Sequence, residues 1–439
     1  MPATTAPTPG TARLVPPPAV TEIAARLERA GFETWCVGGA VRDALLGVAH
    51  LDWDLATAAP PPEVRRLFAR TVPVGIEHGT IGVIGSDGRM HEVTTFRADV
   101  ETDGRHATVR FGVSLDEDLA RRDFTINAMA WSPSRAVLHD PFGGRDDLAR
   151  GVVRAVGAPA TRMAEDRLRA LRALRFAARF GFAIDEATWA AIVGSAPHLT
   201  RLSVERVKQE WEKTLRQVAR PSLAFERWRA SGALRTLIPA LHDAPAWAFA
   251  ACDHASRPDD VRHPARADLR YLVRLALPLL AVPPAEARRI LKALRCSNHE
   301  VNVATTLVEG WHAHGAALAR AAEAGADGAA LRRLASGVGR TRVAGLLRTC
   351  SAAWRARGAE GLDAPTPDAV RRLAGRLLRT AWREPVALAD LAVTGDDLRA
   401  AGVPAGPRLG ATLQRLLDAV VEEPARNTRA TLLALATEG

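Results

Sequence analysis

Residues 51–57 read LDWDLAT, which sets Asp52 and Asp54 on either side of Trp53. In a strand, alternate side chains share a face, so the two carboxylates would sit together and Trp53 would point the other way. Two like charges that close are costly unless one keeps a proton or a cation bridges them. An isolated Asp-X-Asp is usually a surface turn, and what sets this one apart is its company. A dozen residues earlier stands VGGAVRD, residues 37–43. Gly38 and Gly39 let the backbone approach a ligand, the helix that follows offers unpaired N–H groups to a phosphate, and Arg42 adds a fork of donors. The same glycines would also serve a plain helix cap. A carboxylate pair just beyond a phosphate seat is suited to hold two divalent metal ions between a triphosphate and an attacking hydroxyl. Glu92, in HEVTTF, is a candidate third carboxylate or a solvated strand residue, because sequence alone does not fix its direction.

Two more clusters carry charge of the right type. In RRDFTINAMA, residues 121–130, Arg121, Arg122, Asp123 and Asn127 precede an apolar run. They could begin a helix while presenting charge to a ribose or phosphate; otherwise Asp123 is an N-cap and the arginines lie in water. In EDRLRALRALRFAARF, residues 165–180, a helix turning about 100° per residue puts Arg169, Arg172, Arg175 and Arg179 within roughly 120°, with Asp166 at the edge. Such a stripe is usually a solvated helix face. Here an acceptor and a donor fork at i and i+3 could instead meet the edge of a base.

The elements that must position these groups are mixed at first. VTEIAARLERA, residues 20–30, has helical spacing with Thr21 as a candidate N-cap and Gly31 as its end; TWCVGG reads as a short strand entering a glycine turn, and AVRDALLG as a helix closed by Gly47. Two β-rich runs flank Ser86-Asp87-Gly88 and predict a hairpin. A mostly antiparallel α+β unit follows. The glycines do not match GxGxxG, which disfavours a dinucleotide-binding fold. From about residue 160 strand signals stop, and helical periodicity runs to the end with Pro/Gly breaks near 239–245, 278–284, 358–368 and 403–407.

At 439 residues the chain exceeds one compact core, and 47% hydrophobic with 25% charged residues is ordinary globular composition. No apolar run reaches the ~18 residues of a membrane span. Residues 1–19 have neither a basic start nor an apolar segment, so a disordered tail is expected rather than a signal peptide, and a cytoplasmic location with it. Cys36, Cys252, Cys296 and Cys350 are scattered, which speaks against a disulfide framework and against zinc. The net charge of +10 is divided unevenly: residues 1–150 carry −4 and the remainder +14. A polyanionic partner, nucleic acid foremost, suits the later part.

Taken in order, GGAVRD, LDWDLAT, EVTTFR, RRDFTINAMA and EDRLRALRALRFAARF resemble the class II tRNA nucleotidyltransferase (CCA-adding) and poly(A) polymerase family. LSVERVKQEWEKTL, LKALRCSNHEV and LAVTGDDLRAAGVPAGPRLGATLQRLL extend the resemblance over nearly the whole chain. It implies a polymerase-β-like α+β head at 20–150, then all-α parts: a neck at 151–225 that recognises the base, a body at 226–350 and a tRNA-binding tail at 351–439. By motif, Asp52 and Asp54 would ligate Mg²⁺, Gly38, Gly39 and Arg42 would hold the triphosphate, and Arg122 with Asp123 would meet the nucleotide. Asp166 and Arg169 would hydrogen-bond the base of CTP or ATP, with Arg172 and Arg175 beside them. The reaction implied is in-line attack of the tRNA 3′-hydroxyl on the α-phosphate with loss of pyrophosphate.

Within the resemblance full CCA addition competes with CC-only or A-only addition and with poly(A) synthesis. The stretch RADVETDGRHATVRFGVSLDEDLARRD resembles the flexible loop of full CCA-adding members, with Asp103 and Arg105 in it, although it lacks their usual proline. A tRNA-binding module with an inactive head is the non-enzymatic alternative, and the intact carboxylate and arginine motifs speak against it. His242-Asp243 has no spaced histidine partners and reads as a helix end rather than a phosphohydrolase motif.

Overall fold

A helix with Ala19, Val20, Ile23, Ala24 and Leu27 on one buried stripe (α1, Pro18–Arg29) is the first element, and Gly31, at φ 89°, turns it into the first strand. The computed structural model describes residues 14–48, 52–102, 107–256 and 263–437. The expected Thr21 cap lies inside α1, which begins three residues earlier behind Pro17 because Pro18 pre-sets the first helical turn. Residues 1–13 of the expected tail lie outside the described residues, as do Asp103 and Arg105.

Strands β1 (Thr34–Val37), β2 (Asp54–Thr57), β3 (Thr71–Gly75), β4 (Thr80–Ile84), β5 (Met90–Thr95), β6 (Arg97–Thr102), β7 (Ala107–Phe111), β8 (Ala130–Ser132) and β9 (Val137–His139) follow. Seven of them form one sheet in the order β3-β4-β5-β2-β1-β8-β9. Five pairings are antiparallel, and β2 with β5 is parallel. The predicted hairpin is β4–β5, turning through Ser86-Asp87-Gly88. All four residues of β1 are buried, which explains why TWCV carries no polar alternation. The stretch expected as a flexible loop contains a second hairpin, β6–β7, outside the main sheet.

Between and after the strands lie α2 (Gly39–Leu45), α3 (Pro61–Leu67), α4 (Leu115–Ala120), α5 (Gly144–Arg150), α6 (Pro159–Glu165), α7 (Leu168–Phe180), α8 (Glu186–Ser195) and α9 (Val204–Gln217). Strand structure does not stop at 160: Val152–Val153 pairs in parallel with Ala183–Ile184, a two-residue match too short to leave a sequence pattern.

The chain divides into two compact units, one of residues 1–210 with 226–237, the other of 211–225 with 238–439. All the strands belong to the first. The second is helical, and among its described residues two hydrophobic cores are separate: one spans Leu318 to Val386, the other Leu391 to Ala436. Residue 350, expected as the body's end, lies inside helix Val343–Ala359. In the second unit the buried Arg274 donates to the carbonyls of Leu215 (2.7 Å), Val218 (2.9 Å) and Ala255 (2.9 Å), so it closes the C-terminal end of α9, whose last carbonyls have no helical partner.

Candidate active site

Strand pairing brings the carboxylates together. Val37 stands opposite Asp54 across β1–β2, and Leu55 stands beside Val93 across the parallel β2–β5 pair, so Asp54 and Glu92 are level on the same face. Asp52 comes two residues before Asp54, just ahead of β2; both are exposed, while Trp53 between them is buried at 4% exposure. The alternation expected from LDWDLAT therefore holds, and Glu92 joins the same side.

The electrostatics follow from that grouping. Asp54 keeps a solvent-facing carboxylate yet is surrounded by protein on most sides. Burial, then the charge of Glu92, and more weakly Asp52, push its pKa up to about 6, against the pull of Arg122. The same crowding, chiefly burial and then Asp54, pushes the Cys36 thiol on β1 up to about 12. A carboxyl held this reluctantly in its charged form is a place where a divalent cation lowers the free energy. Among the described residues no three His, Cys, Asp or Glu side chains gather as a complete metal cage. Two or three carboxylates with the remaining positions left to phosphate oxygens and water is the usual arrangement for magnesium, so the donor set fits the group.

Past Val37 the backbone turns at Gly38, with φ 75° and ψ −135°. A Cβ there would stand 3.0 Å from a guanidinium nitrogen of Arg122, and one at Gly39 would stand 3.4 Å from that of Arg42. The positive φ is what calls for glycine at 38, and the tip of Arg122 lies close enough that a Cβ would push it by a few tenths of an ångström. Arg122 is held by Asp118, one α4 turn earlier, at 3.1 Å, and it also donates to the Asn127 carbonyl. Asp118 is 1% exposed and also binds Arg121 at 2.9 Å. Burial works against its charge, but the two arginines outweigh burial and hold its pKa below the usual carboxylate value. Gly38, Arg122 and the Asp54 group, three separate sequence clusters, meet at this one end of the sheet.

The other arginines are turned inward. Arg42 is 4% exposed, donates to Asp43 (2.7 Å) and Asn127 (2.5 Å), and lies over the rings of Phe176 (5.1 Å) and Phe180 (4.8 Å). Its guanidinium braces the turn from beneath. Asp123 caps no α-helix: it accepts from Phe124 N–H and Asn127 Nδ2 (both 2.9 Å) over a single 3-10 turn, Thr125–Asn127, because β8 begins only three residues later. It also accepts from Arg172 at 2.7 Å. Burial opposes that charge, yet Arg172 and Asn127 hold its pKa below normal, while Asp123 raises that of Arg172.

The arginine stripe of α7 is not a solvated face. Arg169 (8% exposed) donates to Glu165 and to the Arg121 carbonyl, both at 2.8 Å; Arg175 (3% exposed) binds Glu210 of α9 at 2.6 Å; Arg179 reaches Asp43 at 3.3 Å. Asp166 and Arg169 meet only through the backbone, Arg169 N–H donating to the Asp166 carbonyl at 3.0 Å; the Asp166 carboxylate accepts from Leu168 N–H (3.0 Å) and from Arg206 (2.7 Å). The sequence reading did not single out Asp118, Asp43, Glu210 or Arg206. For Asp118 a signal exists, since an acid four residues before Arg122 is a helical ion-pair spacing; Glu210 and Arg206 are brought in by folding from more than 30 residues away.

Comparison with known proteins bears on what such a site belongs to. Residues 34–154 match the model of the poly A polymerase head domain, 181–244 that described as "Probable RNA and SrmB- binding site of polymerase A", and 385–436 a tRNA nucleotidyltransferase domain. A CCA-adding enzyme of Enterococcus faecalis is 40% identical over 300 residues, 67% of this chain and 69% of the relative. The solved Bacillus stearothermophilus CCA-adding enzyme in complex with CTP shares 32% identity at TM-score 0.77, covering 97% of this chain and 98% of that one. The chain belongs to the CCA-adding enzyme family. Its similarity to another member, that of Geobacillus kaustophilus, is 49% over 192 residues; this spans 43% of the chain and about half, 47%, of that relative's length. CCA-adding enzymes are tRNA nucleotidyltransferases, a family that implies dependence on a divalent metal ion. Among the described residues no helix is long and apolar enough to cross a membrane.

Proposed function

We propose that this chain adds C and A from CTP and ATP, as the sequence CCA, to the 3′ end of tRNA in the cytoplasm, without a nucleic-acid template. The observation that carries the reading is the convergence of Asp52, Asp54 and Glu92 with Gly38 and Arg122 at one end of the sheet. Residues 20–150 supply this catalytic head, 151–225 the neck, 226–350 the body and 351–439 the tail.

Asp52 and Asp54 hold Mg²⁺, with Glu92 close enough to set the charge of Asp54. When bound, the metal supplies positive charge that lowers the pKa of an attacking hydroxyl and neutralises a leaving pyrophosphate. The glycine turn at 38 and 39 lets the triphosphate approach backbone, and Arg122, aimed by Asp118, offers donors to a phosphate or ribose oxygen. Arg42 acts one layer below: by tying Asp43, Asn127 and the Phe176 and Phe180 rings together it fixes the turn's position. Asp166 is partly exposed, with Arg206 on one oxygen and Leu168 N–H on the other, and offers its remaining lone pairs to a base edge, while Arg169 and Arg172 lock α7 against residues 121–123. A preorganised site of this kind catalyses by position and charge, as phosphoryl transfer requires.

The deciding experiment incubates the pure protein with tRNA lacking its 3′ end, Mg²⁺ and labelled CTP or ATP, and sequences the added nucleotides. C, C and A in order support the proposal. C alone or A alone would assign a partial enzyme, a long A tract a poly(A) polymerase, and binding without incorporation a module with an inactive head.

A further inference from the structure

Three helices of the second unit, Pro264–Ala276, Val343–Ala359 and Pro367–Arg383, line a hollow of about 670 Å³. Val343–Ala359 touches both of the others and forms the floor. The residues it turns toward the hollow, Ala344, Leu347, Ser351 and Ala352, recur at helical spacing and are small but for one, so the neighbouring helices do not close over it. Leu269 and Val273 on one side, and Val370, Ala374 and Leu378 on the other, complete an aliphatic lining. No aromatic ring other than His254, and no Asn or Gln, is among the lining residues.

The same hollow is ringed by positive charge. Arg266, Arg270, Arg348, Arg355 and Arg371 line it, and no Asp or Glu does. Arg371 is tied to Asp368, and Arg348 donates to the Ala344 carbonyl of its own helix at 3.1 Å. Among the described residues Arg266, Arg270 and Arg355 have no ion-pair partner. The sequence explains this: helix Val343–Ala359 contains no acid, and the one acid of Pro264–Ala276, Asp268, faces His299 at 3.1 Å. None of the three arginines therefore has a carboxylate three or four residues away, and Arg266 and Arg270 are themselves a like-charged pair at that spacing. Burial lowers the pKa of His254 at the rim, and the charge of Arg355 adds to that effect against Asp253.

We propose that this hollow binds a small soluble amphipathic anion, an aliphatic chain carrying a phosphate head, with the chain over Leu347, Ser351 and Ala374 and the head held by Arg270 and Arg355. The volume lies within the ~300–1,000 Å³ of small-molecule sites. Guanidinium forks suit a phosphate, and a bound anion relieves the repulsion among five cations. Nucleic acid would ask for aromatic planes or for amides and carboxylates at base edges, which the lining lacks. A bilayer would ask for apolar side chains standing out among the basic ones, and none of the lining residues is an exposed large hydrophobic.

The test titrates the full chain with decyl phosphate below its micellar concentration in a calorimeter, with inorganic phosphate and decyl maltoside as head-only and tail-only controls. One decyl phosphate should bind per chain, about tenfold tighter than either control. R270Q/R355Q should weaken it by about tenfold. S351L fills the floor and leaves every arginine in place; it should weaken decyl phosphate as much, while tRNA lacking its CCA end binds it as it binds wild type. R372Q/R379Q, on another flank of its helix, should change nothing. Circular dichroism melting checks each fold, and A374L replaces S351L if the latter melts early. Several copies bound per chain, or binding unchanged by R270Q/R355Q or by the floor variant in folded protein, would mean adhesion only and overturn the proposal. Capture of the chain by phosphatidic acid vesicles without binding of the monomeric probe would overturn it in favour of a membrane, and equal loss of tRNA and probe in the floor variant would overturn it in favour of RNA. None of these readouts needs nucleotide transfer, so they are independent of the function proposed above.

Discussion

The pair Arg175–Glu210 links α7 to α9 inside the first unit, and its worth can be worked from its surroundings. The side chains are 4% and 1% exposed and meet at 2.6 Å. The guanidinium also lies 4.3 Å from the Phe176 ring. Burial holds the Arg175 pKa below its ordinary value in spite of Glu210, so desolvation is not fully offset by the pairing. Two consequences differ in sign. Glu210→Gln leaves a buried cation without its counter-charge and should cost ~3–5 kcal/mol. Replacing both, as Arg175→Met with Glu210→Leu, removes the desolvation together with the attraction and should cost less than about 1 kcal/mol, or stabilise. Urea unfolding followed by tryptophan fluorescence measures both. A cost for Glu210→Gln below about 1 kcal/mol, or a double variant as unstable as the sum of its singles, would refute the argument. The double variant also decides function: with Arg175 committed to Glu210 it should choose between CTP and ATP as wild type does, and altered choice in a folded protein would move Arg175 to the base.

Asp54→Ala should abolish nucleotide transfer while RNA affinity stays within a few-fold of wild type; equal loss of both would make the pair structural. Gly38→Ala places a Cβ in a left-handed backbone and 3.0 Å from Arg122, so stability should fall by about 1–2 kcal/mol and turnover should fall further because Arg122 is displaced; wild-type turnover would remove Arg122 from the site. Asp118 has a depressed pKa in the fold, so its contribution is complete above the unfolded value near 4 and is lost as pH drops through the folded value. Asp118→Asn should therefore lower stability at pH 7 and flatten the acid limb of stability against pH, and an unchanged acid limb would sink that assignment. Arg206→Ala releases a partly exposed pair with Asp166 and should cost less than about 1 kcal/mol while changing the CTP to ATP ratio; an unchanged ratio would take Asp166 out of base recognition.

Much of the arrangement was legible because it is local. Strand alternation alone put Asp52 and Asp54 on one face, and turn residues alone marked the β4–β5 hairpin and the Gly38 bend. The direction of Glu92 was not legible, since it depends on the parallel register between β2 and β5, a pairing of segments separated by more than 30 residues. The α1 start was misplaced because Thr21 is a good cap residue, whereas Pro18 fixes the first turn without any side-chain cap.

The α7 arginines show the limit most clearly. Periodicity locates a stripe but gives it no environment, and charged stripes ordinarily face water. Here the acids that would reveal the opposite outcome, Asp43, Asp123 and Glu210, lie 136, 49 and 35 residues away from their partners. Only folding shows that Arg179, Arg172 and Arg175 each find a separate carboxylate. The helix at 367–383 carries nearly the same spacing of arginines with the reverse result: its one acid is taken by Arg371, and Arg372, Arg376, Arg379 and Arg383 stay exposed. Two stripes of the same composition therefore divide by the availability of buried counter-charge. One row is drawn into the fold by its acids, and the other stays on the surface.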